Sequence, residues 1–259
     1  MINFFRKIRY DLMEKNQTSA KTSDGAKTKK PAYRTGRYLK YAIGEIFLVM
    51  IGILLALQVN NWNEERKESD LEMEILHGLY NDIANNEIKI KNMISRDSLI
   101  ITGNQHILSL LKNDNSTFND SLQFSFGNIN RYDVFFPQQM AYETLKSKGF
   151  HTIKNDSLRT HIIELYDETY FINSHIRDLK SVLYTSTNGM LNKRLFTTKD
   201  INHKIPNDFN QLKKDAEFLN TLSHLTAENI NFQVYAKTML DKTISVKNRI
   251  ENEIQRLNI

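Results

Sequence analysis

The sequence has 259 residues, enough for one or two domains with a sizeable core. Its 9 Gly and 3 Pro are under half of average usage, which favours long helices over a turn-rich β sandwich. Cysteine is absent, excluding a disulfide scaffold, a thiol nucleophile, a thiolate zinc site and a lipid-modified Cys. The net charge of +5 is unevenly spread, and its position carries more meaning than its size.

Residues 1–40 hold 11 Lys/Arg against Asp11, Glu14 and Asp24. At the start, MINFFRKIRYDLM sets Phe4, Phe5, Ile8 and Leu12 on one helical face and Arg6, Lys7 and Arg9 on the other. That pattern predicts an interfacial helix, with Phe4, Phe5, Arg6, Lys7 and Arg9 as membrane-surface contacts. Residues 16–36 are rich in Ser, Thr and Lys and read as a flexible linker.

Residues 41–62 (YAIGEIFLVMIGILLALQVNNW) contain no Lys or Arg and span about 33 Å as a helix, matching a hydrocarbon core of about 30 Å. Tyr38 and Tyr41 flank one end and Trp62 the other, at headgroup level. The run from Ile46 to Leu57 is apolar on every face, which separates it from a buried soluble helix. The basic flank against Glu64, Glu65, Glu68, Asp70, Glu72 and Glu74 puts the N-terminus in the cytoplasm and residues 63–259 outside it. The apolar stretch is too long for a signal-peptide core and no small-x-small site follows, so an uncleaved signal anchor is expected. The outer part has a net charge near −2, so the basic character belongs to the tail. Cations beside a membrane are a topology signal, and no nucleic-acid partner is expected.

Within the span, Glu45, Gly52, Ala56 and Val59 fall near one helical stripe, with Gly52 and Ala56 a small-xxx-small pair. Two readings stay open there: a homo-oligomer interface using Glu45, or a monomeric anchor with a lone Glu near the headgroups.

Beyond Trp62, alternating steps of four and three pick out helical seams. Leu76, Leu79, Ile83, Ile90, Met93, Ile100, Ile107 and Leu111 form the first, interrupted by Asn86, Asp97 and Asn104. Leu158, Ile162, Leu165, Ile172, Ile176, Leu179, Leu183 and Met190 form the second. The third is less regular: Leu212, Ala216, Leu219, Leu222 and Leu225, then Leu240, Ile244, Ile250, Ile254 and Leu257. The expected fold is all-α: one transmembrane helix continuing into an elongated antiparallel bundle or coiled coil, with long helices over 63–112, 156–195 and 208–257. The pattern favours water-exposed fraying at Asn86, Asp97 and Asn104 over a register-fixing buried role. Residues 122–136 read as an aromatic-rich loop capping the bundle, or as a small β-hairpin. A short helix over 138–148 should stop at Gly149, Asn155 or Asp156 should cap the next, and Pro206 should break the chain before the last.

The segments YAIGEIFLVMIGILLALQVNNWNEERK (41–67), AYETLKSKG (141–149) and IKNDSLR (153–159) resemble a family of small single-pass membrane proteins of Gram-negative bacteria, domain of unknown function family 6090. The resemblance implies a bacterial inner-membrane location with a periplasmic C-terminal domain, and carries no activity or site.

No phosphate loop, dinucleotide fingerprint, nucleophile elbow or H-E-x-x-H helix is present. Glu74 and His77 form one Glu-x-x-His pair where a di-iron bundle needs two. His161, Glu164, Glu168, His175 and Asp178 make a polar stripe that reads as a solvated flank. No cofactor, metal or catalytic residue is expected. The leading expectation is a non-enzymatic, membrane-anchored helical protein that binds other proteins or itself. The alternative is a ligand-sensing periplasmic bundle signalling through a partner, with Arg131, Tyr132 and Tyr142 near a pocket. A metal-dependent enzyme ranks behind both.

Overall fold

The fold is that of a computed structural model, described over residues 35–258, with side chains from Tyr41. Residues 1–34 of the basic tail, with Phe4, Phe5, Arg6, Lys7 and Arg9, lie outside the described residues. Helix α1 spans Thr35–Leu111 without a break, as a stretch with no Pro allows. It passes through two compact units, Met1–Asn61 and Trp62–Ile259. In the first unit, residues 41–61 are exposed along their whole length. Their mean hydropathy reaches 2.3, so the helix is long and apolar enough there to cross a membrane.

The second unit is almost entirely helical. After α1 come α2 (Gln123–Gly127), α3 (Met140–Lys148) and α4 (Asp156–Ile163). A π-helical stretch, Glu164–Tyr170, leads directly into α5 (Phe171–Arg194). Strands β1 (Leu195–Thr197) and β2 (Lys204–Pro206) form an antiparallel hairpin with Phe196 opposite Ile205. Helices α6 (Phe209–Leu212) and α7 (Ala216–Leu257) finish the chain. The caps sit where local chemistry puts them. Gly149 ends α3 at φ 99°, Asn155 accepts the Leu158 N–H ahead of α4, and Asp215 accepts the Phe218 N–H at the start of α7.

Helix α7 runs antiparallel to α1: Gln233 donates to the Ile94 carbonyl and Lys247 pairs with Glu87. It is antiparallel to α4–α5 as well, through Thr243 with Tyr170 and Glu253 with Asn155. Helices α4–α5 instead run parallel to α1, with Glu72 facing Lys154 and Asp97 facing Lys180. The orientation follows from the segment between α2 and α3, which is neither cap nor hairpin. It is an extended strap laid back along α1. Asn104 donates to the Ile129 carbonyl, Arg96 pairs with Asp133, Lys89 reaches the Phe136 carbonyl, and Asp82 accepts the Ala141 N–H. Asn86 closes a two-way contact with Gln138, its Nδ2 donating at 2.9 Å and its Oδ1 accepting at 2.7 Å. The helix between Asn104 and Asp82 is about 33 Å long. The strap from 129 to 141 reaches about 40 Å when fully extended, so it has little slack.

Two findings correct the expected seams. The first seam does not fray. Asn86, Asp97 and Asn104 are all buried, because the strap and α5 bring partners to them. The third seam is regular once its polar members are counted. Phe218, Leu222, Leu225, Asn229, Phe232, Ala236, Met239, Thr243, Val246, Ile250 and Glu253 are buried at steps of four and three.

On the second seam the expectation holds only as far as the π stretch. Leu158, Ile162 and Leu165 are buried as expected. Beyond it, Lys180, Tyr184 and Leu191 take the interior, each one residue past an expected position. A π turn closes i to i+5 and holds one extra residue, which rotates the downstream helix by roughly 100°. Ile172 and Leu179 therefore lie on the surface.

Among the described glycines, Gly127 makes the closest approach. A Cβ there would sit 2.0 Å from the Asn202 carbonyl oxygen, in the turn between β1 and β2. Gly127→Ala should destabilise the second unit by about 1–3 kcal/mol, read by denaturant unfolding followed by far-UV circular dichroism.

Candidate functional site

The second unit has two apolar cores. One gathers Leu76, Ile83 and Ile90 of α1 with Leu158, Ile162, Met239 and Val246. The other gathers Ile107 and Leu111 with Leu122, Phe126, Leu191, Phe218 and Leu222. Between them in each long helix comes a polar stretch: Asp97 and Asn104 on α1, Lys180 on α5, and Thr226 and Asn229 on α7.

The centre of this layer is the Asp97–Lys180 pair, with side chains 1% and 5% exposed and Nζ to Oδ2 at 3.4 Å. The Lys180 ammonium also lies 5.1 Å from the centre of the Phe232 ring. One turn along α5, the Tyr184 hydroxyl donates to Asn229 Oδ1, and the Tyr184 ring stacks on Tyr132 of the strap at 4.7 Å. The layer is under-satisfied: Asp97 Oδ1, Asn104 Oδ1 and Asn229 Nδ2 are buried without a hydrogen-bond partner. Burial pushes the Asp97 carboxyl above its ordinary value, and Lys180 pulls the other way with smaller effect. A contact as long as 3.4 Å returns little of what desolvation costs. Burial likewise raises the Tyr184 hydroxyl.

Beside this layer lies a cavity of about 230 Å³ between α1, the strap, α5 and α7. Its walls are mainly apolar, from Met93, Phe135, Ile176, Phe232, Ala236 and Met239. Lys180, Arg177, Lys242 and Asp133 supply its charges. The cavity exists because the interior lacks bulk at this level. The α7 seam carries only Ala236 here, and Ile172, Asn173, Ile176 and Arg177 of α5 line the space without filling it.

The residues singled out from the sequence fall elsewhere. Glu45, Gly52, Ala56 and Val59 are exposed on α1 in the first unit, and a Cβ added at Gly52 meets nothing within 4 Å. Glu74, His77, Glu164, Glu168 and Asp178 are on the surface, and the His161 and His175 rings bond to carbonyls of their own helices. Among the described residues no group of three or more His, Asp or Glu could hold a metal ion. Tyr142 stacks on Tyr166 at 4.3 Å, and Arg131, Tyr132 and Tyr142 do not line the cavity. Lys180 and Phe232 were missed. A lysine beside an apolar heptad reads as its solvated flank until the π stretch is known.

Fold and interior together define a class: a helical bundle with a long apolar helix at its head and a buried charged layer dividing its core. Within that class the chain belongs to a family of unknown function, DUF6090, which it matches over residues 45–230. The match begins in the apolar run and ends within α7, so it contains Asp97, Lys180 and Asn229. No curated protein and no solved structure matches the chain.

Lys180→Met leaves Asp97 buried and alone and should cost about 3–5 kcal/mol. The double variant Asp97→Leu/Lys180→Met should recover most of that loss, measured by the same unfolding experiment. The pH dependence follows from the raised Asp97 value. The folded chain holds this proton more tightly than the unfolded one, so the site's contribution is complete below the ordinary 3.8 and is lost as pH rises through the higher folded value. Asp97→Asn cannot titrate. Between pH 3.8 and neutrality, its stability relative to the native chain should therefore improve, as melting at a series of pH values would record.

Proposed function

We propose that this protein is a non-enzymatic, membrane-anchored interaction module, held in a bacterial inner membrane by residues 41–62. The N-terminus lies in the cytoplasm and residues 63–259 lie in the periplasm. The asymmetry of basic and acidic residues about the apolar run supports that orientation.

The observation that carries the reading is the apolar stripe turned outward on α5. Leu179 is 63% exposed and Val182 71%, with Ile172 on the same side of the helix. Heptad-spaced apolar residues on the outside of a helix suit a second helix packed against them. The occupant proposed is a second copy of the chain. Anchoring confines copies to one plane and raises their effective concentration. The stripe of Glu45, Gly52, Ala56 and Val59 would let two anchors approach closely within the bilayer.

The absence of cysteine makes the test clean. Leu179→Cys and Val182→Cys in native membranes should give disulfide-linked homodimers on mild oxidation, and Lys237→Cys on exposed α7 surface should not. Monomer at all three positions would overturn the homo-oligomer. Cross-links from Leu179→Cys to a different protein would replace self-association with a heteromeric complex.

A further inference from the structure

The cavity between the strap, α5 and α7 shares Ile172 with the outward stripe but not Leu179 or Val182, and its chemistry points to a small molecule. Its volume of about 230 Å³ exceeds the ~150 Å³ apolar cavity that takes up benzene, so a ring with a short side chain fits. Pockets for small ligands combine apolar walls with a few polar groups that fix orientation, and the walls here are mainly apolar. The charges at its edge are unbalanced. Lys180, Arg177 and Lys242 are cationic, Arg177 being paired with Asp178 at 3.2 Å, and the one acid in the lining, Asp133, is tied to Arg96 at 2.8 Å.

Lys180 is the built element. It is 4% exposed, and an ammonium carries three N–H donors. Asp97 takes one of them over a long contact of 3.4 Å, whereas charge-assisted bonds normally close to about 2.7–2.9 Å. The Phe232 ring covers another side of the ammonium. Asp97 Oδ1 has no partner at all. The pair is thus a loosely made contact with donor capacity to spare, at the edge of an apolar space.

We infer that this cavity binds a small amphipathic carboxylate, an aromatic or branched aliphatic body bearing one acid group, with the acid accepting a hydrogen bond from Lys180 and the body packed against Phe135, Phe232 and Met239. A ligand cation would meet the ammonium groups of Lys180 and Lys242. A neutral molecule would fill the volume but leave the lysine donors unused.

The test uses the full chain in lipid nanodiscs, with empty nanodiscs as the blank. Isothermal titration with 3-phenylpropionate should show one saturable site. The matched amide should bind about tenfold more weakly or worse, because it forgoes a hydrogen bond between two charged groups. 3-Phenylpropylamine should give no heat above the blank. Ala236→Phe, which fills the cavity, should abolish carboxylate binding. Because that variant could fail to fold, the native chain is also followed through its methionine methyl resonances. Met93 and Met239 line the cavity and should shift on adding the carboxylate, while Met190, beside the other core, should not. Absence of saturable binding, equal binding of acid and amide, or shifts confined to other methionines would each overturn the site. Leu179→Glu, which disrupts the outward stripe, should leave carboxylate binding unchanged, so failure of self-association and failure of ligand binding are read separately.

Discussion

A single extra residue in one helical turn sets the arrangement of the second unit. The π stretch Glu164–Tyr170 lets α4 present Leu158, Ile162 and Leu165 to the interior in the register their sequence dictates. It then turns α5 so that Lys180, Tyr184 and Leu191 face inward. Without that turn Lys180 would be solvated and Asp97 would have no cation across from it. Leu179 would be in the core. The charged layer and the outward stripe share this one origin. That π turns concentrate at functional sites agrees with their cost, since a helix keeps a strained turn only where something depends on it.

The polar residues of the interior follow a common rule. Most sit at a seam position and are met by an element that brings backbone or a complementary side chain. Asn86 is met by Gln138, Asn104 by Ile129, Glu72 by the Lys154 N–H and Thr243 by the Tyr170 hydroxyl. Such contacts are directional where apolar contacts are not. They fix the axial position of the helices, which Leu and Ile alone would leave free to slide. The strap works in the same way, tied to α1 at five points along its length.

How much of this was readable from the sequence depends on the kind of signal. Residues 41–62 were legible as one unbroken helix, long and apolar enough to cross a membrane, because the run is apolar on every face and has no breaker. The α1 seam was legible even across its interruptions, since eight of eleven positions are apolar. Local breaks were legible where Gly149 acts through its backbone, Asn155 through its side-chain oxygen and Pro206 by interrupting the helical run. What failed was whatever depends on partners distant in the chain. Asn86 and Asp97 were assigned to water because their partners lie beyond residue 137. The α7 seam was obscured by Asn229, Thr243 and Glu253, which satisfy the spacing but not the apolar criterion. The π stretch has no compositional mark, as ELYDETY would serve equally in an ordinary α-helix. The inward Lys180 followed it out of sight.

The strap also has a consequence for how the chain assembles as it is made. Its ties to α1 join residues 25 to 59 positions apart, between Asn104 and Ile129 and between Asp82 and Ala141. Those from α7 to α1 join residues 135 to 160 apart. Contacts between near neighbours cost less loop-closure entropy and form earlier. The strap can therefore fold back on α1 while the C-terminal third is still being synthesised, leaving the apolar faces of α1 and α4 open until α7 emerges. Helix α7 is thus the closing piece, supplying Met239, Val246 and Ile250 to one core and Phe218, Leu222 and Leu225 to the other. A nascent chain that lacks it keeps both cores unfinished together, so the window for capture by a chaperone, or for aggregation, is set by the last helix to arrive.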